Sequence, residues 1–151
     1  MARPAADRAV LDTNVLLAAT DEGRIEHADA IEAINEWPAS GLVLYTSGQI
    51  LREYLVVATR PQAVNGLGLK VADAVANVRA FRTRLRLLAE EVKVTERLLE
   101  LLEVVDCSGK QVHDANLVAT MLVHGIGTVV TSNVTDFVRF SRHVQVCGLR
   151  P

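Results

Sequence analysis

The chain predicts an α/β domain, with a central, mainly parallel sheet flanked by helices on both faces. Three observations carry that prediction. Short apolar runs, too brief for helices, recur at 9–11, 42–46 and 128–131, as buried strands would. Longer stretches between them place apolar residues at helical spacing, as Leu51, Tyr54, Leu55 and Ala58 do. Polar, Gly- or Pro-bearing breaks separate the two kinds, without an internal repeat or a dividing linker, so residues 1–151 read as one domain.

In chain order, the strand at 9–11 ends at Asp12, and a helix begins near Val15 and stops at Thr20-Asp21-Glu22-Gly23. A helix is expected over 25–36, with Ala28, Ile31 and Ile34 on its apolar side and Pro38 and Gly41 closing it. The strand at 42–46 leads through Ser47-Gly48 into a helix over 49–59, ended by Arg60-Pro61. Residues 62–69, containing Gly66 and Gly68, form a loop. A long helix over 70–88 and a short strand over 92–94 follow. Thr95-Glu96 caps the next helix, which ends near Val105. Beyond a loop at 107–110, a helix over 112–124 stops at Gly125-Ile126-Gly127. The strand 128–131, a short helix over 134–141 and a last strand over 144–146 complete the pattern.

Composition narrows the function classes. At 151 residues and 50% hydrophobic content, one sizeable core is expected. A formal net charge of -2 gives no global pull on nucleic acid, so such binding requires a local patch. Cys107 and Cys147 are far apart and have no CxxC spacing, which argues against a disulfide framework or structural zinc and fits a reducing cytoplasm. No apolar run approaches the roughly 18 residues of a membrane span, and the first residues lack the apolar core of a signal peptide.

Four carboxylates stand near the ends of these strands or the starts of the helices after them: Asp12, Glu53, Asp114 and Asp136. Each has a plain structural reading. Asp12, Asp114 and Asp136 precede or open a helix, where a carboxylate caps free amides, and Glu53 can be a solvated helix residue. The alternative is convergence, since open α/β sheets bind ligands beyond the carboxyl ends of their strands. Two carboxylates about 4 Å apart repel by about 4 kcal/mol at an effective dielectric of about 20. A convergent set must therefore be partly protonated or share a cation. All-oxygen ligation without Cys or His favours Mg²⁺, or Mn²⁺ in its place, over zinc, and such a site suits phosphodiester hydrolysis.

The blocks around these acids resemble those of PIN-domain ribonucleases, in particular the VapC-type toxins of toxin–antitoxin pairs. The four blocks are Val10-Leu11-Asp12-Thr13-Asn14-Val15-Leu16-Leu17, Gln49-Ile50-Leu51-Arg52-Glu53-Tyr54, Val112-His113-Asp114-Ala115-Asn116-Leu117 and Thr131-Ser132-Asn133-Val134-Thr135-Asp136-Phe137. They occur in the family's order and cover nearly the whole chain. The resemblance implies a single PIN-like α/β domain acting as a metal-dependent endoribonuclease. It assigns Asp12, Asp114 and Asp136 to a Mg²⁺ site and Glu53 to the attacking water. Thr13, Thr131 and Asn133 become supporting residues, and Asn133 is also a neutral candidate for the position given to Asp136. A small VapB-type antitoxin covering the acidic pocket and a toxin homodimer are implied as well.

Arg79, Arg82, Arg84 and Arg86 fall on the expected long helix, with Arg79, Arg82 and Arg86 on one face; RNA contact and a solvated face are both compatible with that spacing. Lys110 is a separate candidate for a phosphate contact. Aromatics make up only 4% of the chain, so Trp37, Phe81, Phe137 and Phe140 are assigned to the core rather than to base stacking. Two other enzyme classes fit less well. A HAD-type phosphatase wants an acid where Asn14 stands, and a receiver domain wants an acidic pair at the first strand. A PIN-like RNA-binding or scaffold domain without catalysis, and a PIN nuclease of RNA processing, remain as alternatives.

Overall fold

Ala9, Val10 and Leu11 are all apolar, and a strand with no polar face belongs in the middle of a covered sheet. The computed structural model describes residues 3–150 and places them there. Strand β1 (Arg8–Leu11) pairs in parallel with β2 (Val43–Ser47) on one side and β4 (Thr128–Thr131) on the other. β3 (Leu85–Leu88) lies outside β2 and β5 (Gln145–Gly148) outside β4, giving the order β3-β2-β1-β4-β5 with every pairing parallel. Burial of Ala9 to Leu11 and of all of β4 shows that both faces are covered.

Parallel neighbours need crossover connections, and helices supply them. These are α1 (Thr13–Thr20), α2 (His27–Ala39), α3 (Gly48–Thr59), α4 (Val71–Arg82), α5 (Val92–Val104), α6 (Gln111–Val123) and the single turn α7 (Val134–Phe137). Helix α1 packs on α2 and α3, α3 on α4, and α5 on α6. Trp37, Phe81, Phe137 and Phe140 are buried, as the sequence predicts.

Residues 70–94 differ from the expectation. The helix stops at Arg82, and 85–88 is the strand β3, while 92–94 opens helix α5. Phe81, Leu85 and Leu88 are spaced as on a helix, so period alone cannot separate a helix from a turn and a buried strand. Pairing decides: Leu44, Tyr45, Thr46 and Ser47 of β2 find partners in Leu85 to Leu88, which satisfies an edge that would otherwise stay open. Val92 and Val94 alternate like a strand, yet Val94, Leu98, Leu101 and Val105 form the buried helical stripe. Arg79 and Arg82 are therefore exposed on α4, whereas Arg84 lies in a turn and Arg86 on β3; the shared arginine face does not exist. Helix α2 also differs, burying Ala30, Ala33, Ile34 and Trp37 while Ala28 and Ile31 face outward. It starts two residues later than expected and carries Pro38 in its last turn.

One junction ties three helices. The Tyr54 ring meets Phe81 edge-on, with centroids 5.2 Å apart. Its hydroxyl lies 2.8 Å from Thr20 Oγ1 and accepts from Asn77 Nδ2 at 3.0 Å, joining α1, α3 and α4. Tyr54→Phe is expected to lower the unfolding free energy by about 1 kcal/mol. Tyr54→Ala is expected to lower it by about 3–5 kcal/mol. Urea denaturation with an unchanged m-value checks both.

Candidate active site

The chain steps from β1 to β2 to β3 in one direction, then returns to the far side of β1 for β4 and β5. Such a reversal opens a crevice at the carboxyl ends of the two strands that part, here β1 and β4. Asp12 follows β1 directly and serves as the cap of α1: Oδ1 accepts from Thr13 N at 2.8 Å. Its other oxygen accepts from Thr131 Oγ1, at the end of β4, at 2.9 Å and from Asn14 Nδ2 at 3.2 Å. Asn14 completes the bridge, because its Oδ1 accepts from Ser132 N at 3.0 Å. The capping and convergent readings of Asp12 thus describe the same carboxylate.

Asp12 is only 9% exposed, and burial raises its pKa despite the donors from Thr131, Thr13 and Asn14 that work the other way; the nearby Glu53 charge adds to the rise. None of the ion pairs among the described residues involves it.

Glu53 reaches the same crevice from α3. Its Oε2 accepts from Thr13 Oγ1 at 2.7 Å and its Oε1 from Gln49 Nε2 at 3.0 Å. Gln49 is buried one turn earlier on α3, and its side-chain amide is fully used: Nε2 also donates to His113 O at 2.8 Å, and Oε1 accepts from Asn116 Nδ2 at 2.7 Å. It fastens α3 to the first turns of α6, where Asp114 stands. Gln49 and Asn116 lie inside the sequence motifs, which assign them no role. The i, i+4 spacing of Gln49 and Glu53 was the available signal; the link to Asn116, 67 residues on, had none.

Asp114, half-buried in the first turn of α6, has its pKa pushed up to about 6. Burial is the largest cause, followed by the charges of Asp12, Asp136 and Glu53, with Arg139 pulling the other way. Asp136 is exposed in the first turn of α7. A cavity of about 820 Å³ is lined by Thr13, Glu53, Asp114 and Asp136 together with Arg52, Arg60 and Lys110; Asp12 is not part of its lining. Asn133 is exposed, and its backbone N–H donates to Thr131 Oγ1 at 3.0 Å. Arg79, Arg82 and Arg86 do not line the cavity; Arg84 and Arg86 border a hollow beside Leu42 and Val43, at the opposite ends of the strands.

Against family models, residues 9–142 match the PIN domain. The chain belongs to the PIN-domain family. No curated protein sequence matches it. Among solved structures, VapBC2 from Rickettsia felis bound to a promoter DNA fragment contains a chain with 17% identity and a TM-score of 0.64, the match covering 93% of this chain and 98% of that one. VapC20 from Mycobacterium tuberculosis, described as a sarcin–ricin loop cleaving toxin, gives 20% identity and 0.63, covering 90% and 95%. VapBC-1 from nontypeable Haemophilus influenzae gives 15% identity and 0.65, covering 95% and 99%. At these identities the likeness is one of fold, and it spans essentially the whole PIN domain.

The acids of this PIN domain suit a particular kind of cation. Among the described residues, no group of three or more His, Cys, Asp or Glu side chains sits close enough to hold a metal ion on its own. Their charges nevertheless reach Asp114. Glu53, Asp114 and Asp136 thus line a shared opening rather than a closed cage, and the charge of Asp12 acts on Asp114 without lining it. A hard ion that keeps several waters and takes one or two carboxylates directly fits such a set, and the oxygen-only donors agree.

The electrostatics also fix a sign for stability. Asp114 ionises near pH 6 in the folded chain and near 3.9 when unfolded. Between those values the folded state binds more protons, so stability is fully present below about pH 4 and falls as pH rises through about 6. Asp114→Asn should therefore stabilise the metal-free protein at pH 8 and leave it nearly unchanged at pH 4. Thermal unfolding in EDTA at the two pH values measures this; equal shifts at both would contradict the electrostatic account.

Proposed function

We propose that this PIN domain is a divalent-metal-dependent endoribonuclease and the toxin of a toxin–antitoxin pair. The observation that carries the reading is electrostatic: beyond burial, the main cause, the charges of Asp12, Asp136 and Glu53, from three other parts of the chain, all add to the raised pKa of Asp114. Like charges gathered this way weaken the empty fold, and a bound cation relieves the repulsion. RNA as substrate is supported by the fold shared with a toxin described as cleaving the sarcin–ricin loop.

Mg²⁺, with Mn²⁺ as substitute, is the ion that oxygen donors of this kind favour; Asp12 and Asp114 would hold it directly or through its waters, with Asp136 completing the site. Once bound, such an ion neutralises charge on the scissile phosphate and makes a water nucleophilic near neutral pH. The protein's own part is positional. Thr131 Oγ1 and Thr13 N fix the two oxygens of Asp12. Asn133, through its backbone N–H on Thr131 Oγ1, steadies that hydroxyl. Glu53, held between Thr13 Oγ1 and Gln49 Nε2, accepts the proton of the attacking water. Attack in line with the departing 3′ oxygen leaves a 5′ phosphate and does not use the RNA's own 2′-hydroxyl.

A small cognate antitoxin of the VapB type is the natural occupant of the cavity when the enzyme is silent, and structures of similar fold include toxin–antitoxin complexes. We place the active toxin in the cytoplasm as a homodimer. No helix among the described residues is long and apolar enough to cross a membrane.

Asp12→Asn, Glu53→Gln and Asp114→Asn should each lower the cleavage rate at least about 100-fold while the circular dichroism stays native. Chelation should abolish cleavage, with Mg²⁺ or Mn²⁺ restoring it, and the downstream fragments should carry 5′ phosphates. Undiminished cutting by the folded Asp12→Asn chain would remove the acidic crevice from the mechanism.

A further inference from the structure

The cavity face of α3 carries Gln49, Arg52, Glu53, Val56 and Val57 and ends at Arg60. The spacing i, i+3, i+4, i+7, i+8, i+11 keeps one stripe along the whole helix. Its two ends differ in chemistry. Gln49 and Glu53 belong to the acidic crevice. Arg60, seven residues beyond Glu53, stands about 10 Å farther along the axis. Between them Val56 is 55% exposed, an apolar step between Glu53 and Arg60. Arg52 makes only a long 3.8 Å contact with Glu90, and no ion pair among the described residues involves Arg60 or Lys110.

The loop after α3 is folded onto Arg60. Gly68 N donates to Arg60 O at 2.8 Å, Gly66 N to Pro61 O at 3.0 Å, Leu67 N to Val57 O at 3.0 Å and Leu69 N to Ala58 O at 2.9 Å. At Gly66 an added Cβ would fall 1.8 Å from the Arg60 carbonyl oxygen, so only glycine allows the approach. Residues 62–69 line no part of the acid-bearing cavity, yet they immobilise the backbone of one cation on its rim.

We propose that Arg60 is a phosphate anchor for the RNA strand. With the scissile phosphate over the acids, its guanidinium grips a neighbouring backbone phosphate, and Val56 takes the ribose or base between the two. A planar, always-charged fork suits a phosphate bidentately. The order Glu53, apolar step, Arg60 along this stripe matches a single strand running phosphate, nucleoside, phosphate, with Arg52 beside the acid at the other end. This assignment rests on the ribonuclease reading above.

The test uses the full chain with Asp12→Asn, in Mg²⁺, binding a labelled single-stranded RNA across a salt series. Adding Arg60→Gln should weaken binding roughly tenfold at low salt. It should also lower the slope of log affinity against log salt by about 0.7. Arg60→Lys, which keeps the charge, should keep the slope. Gly66→Ala should weaken binding as Arg60→Gln does, and the two together no further. Arg84→Gln, at the other end of the sheet, should leave the slope unchanged. In the chain with Asp12 intact, Arg60→Gln should raise KM with kcat altered by less than about threefold. An unchanged slope in the folded Arg60→Gln chain overturns the assignment, as does intact RNA binding with loss only of binding to an acidic peptide. If the parent chain neither binds nor cuts RNA, the ribonuclease reading falls with it; if the parent cuts and Arg60→Gln matches it, only the anchor falls.

Discussion

A buried carboxylate held by neutral donors at the parting of two strands is the constraint around which this protein is arranged. Asp12 takes hydrogen bonds from a threonine hydroxyl, a backbone amide and an asparagine side chain, and none from a lysine or arginine among the described residues. Neutral donors compensate part of the lost hydration without cancelling the charge. An arginine in their place would neutralise the carboxylate and make a poorer cation site. The amino end of α1 adds its partial positive charge, again without a formal cation. The local arrangement therefore holds negative charge ready while tolerating it.

The rest of the fold brings further negative charge to that point. β4 must lie beside β1 for Thr131 to reach Asp12, and this pairing depends on the chain reversing direction after β3. α3 brings Glu53, and the buried amide of Gln49 locks α3 to the turn of α6 that carries Asp114. Hydrophobic burial of β1, β4 and the helices around them supplies the stability against which this repulsion works. Asp114, half-buried and facing the charges of Asp12, Asp136 and Glu53, feels this repulsion directly.

Much of this was legible in the sequence because the central strands are short, apolar and followed at once by polar residues. Asp12 after Val10-Leu11 and Thr131 at the end of Thr128–Thr131 are such cases. The α/β class and most helices follow from periodicity. Residues 70–94 did not, because Phe81, Leu85 and Leu88 satisfy a helical period while forming a helix end and a strand; the deciding partner, β2, is about 40 residues away. The arginine face failed with the helix that was to carry it. Likewise, no local pattern announces the bond between Gln49 and Asn116. The four acids were visible singly, but their mutual electrostatic effect exists only once the chain has turned back on itself.

Glycine at position 66 shows how far such constraints extend from the acids. A helix ending at Arg60-Pro61 would ordinarily fray, leaving its last carbonyls to water. Here the following residues return to bond Val57 O, Ala58 O and Arg60 O, and the close approach admits no side chain at Gly66. Ordering a loop costs entropy, about 1–2 kcal/mol for each residue fixed. Residues 62–64 bury no side chain, so hydrophobic gain from that turn does not offset the cost. What the loop does accomplish is geometric: it fixes the end of the helix whose start carries Gln49 and Glu53. A rigid α3 with both ends secured, one on α6 and the other on its own outgoing chain, keeps a constant distance between Glu53 and Arg60, and on that constant spacing the proposed RNA anchor depends.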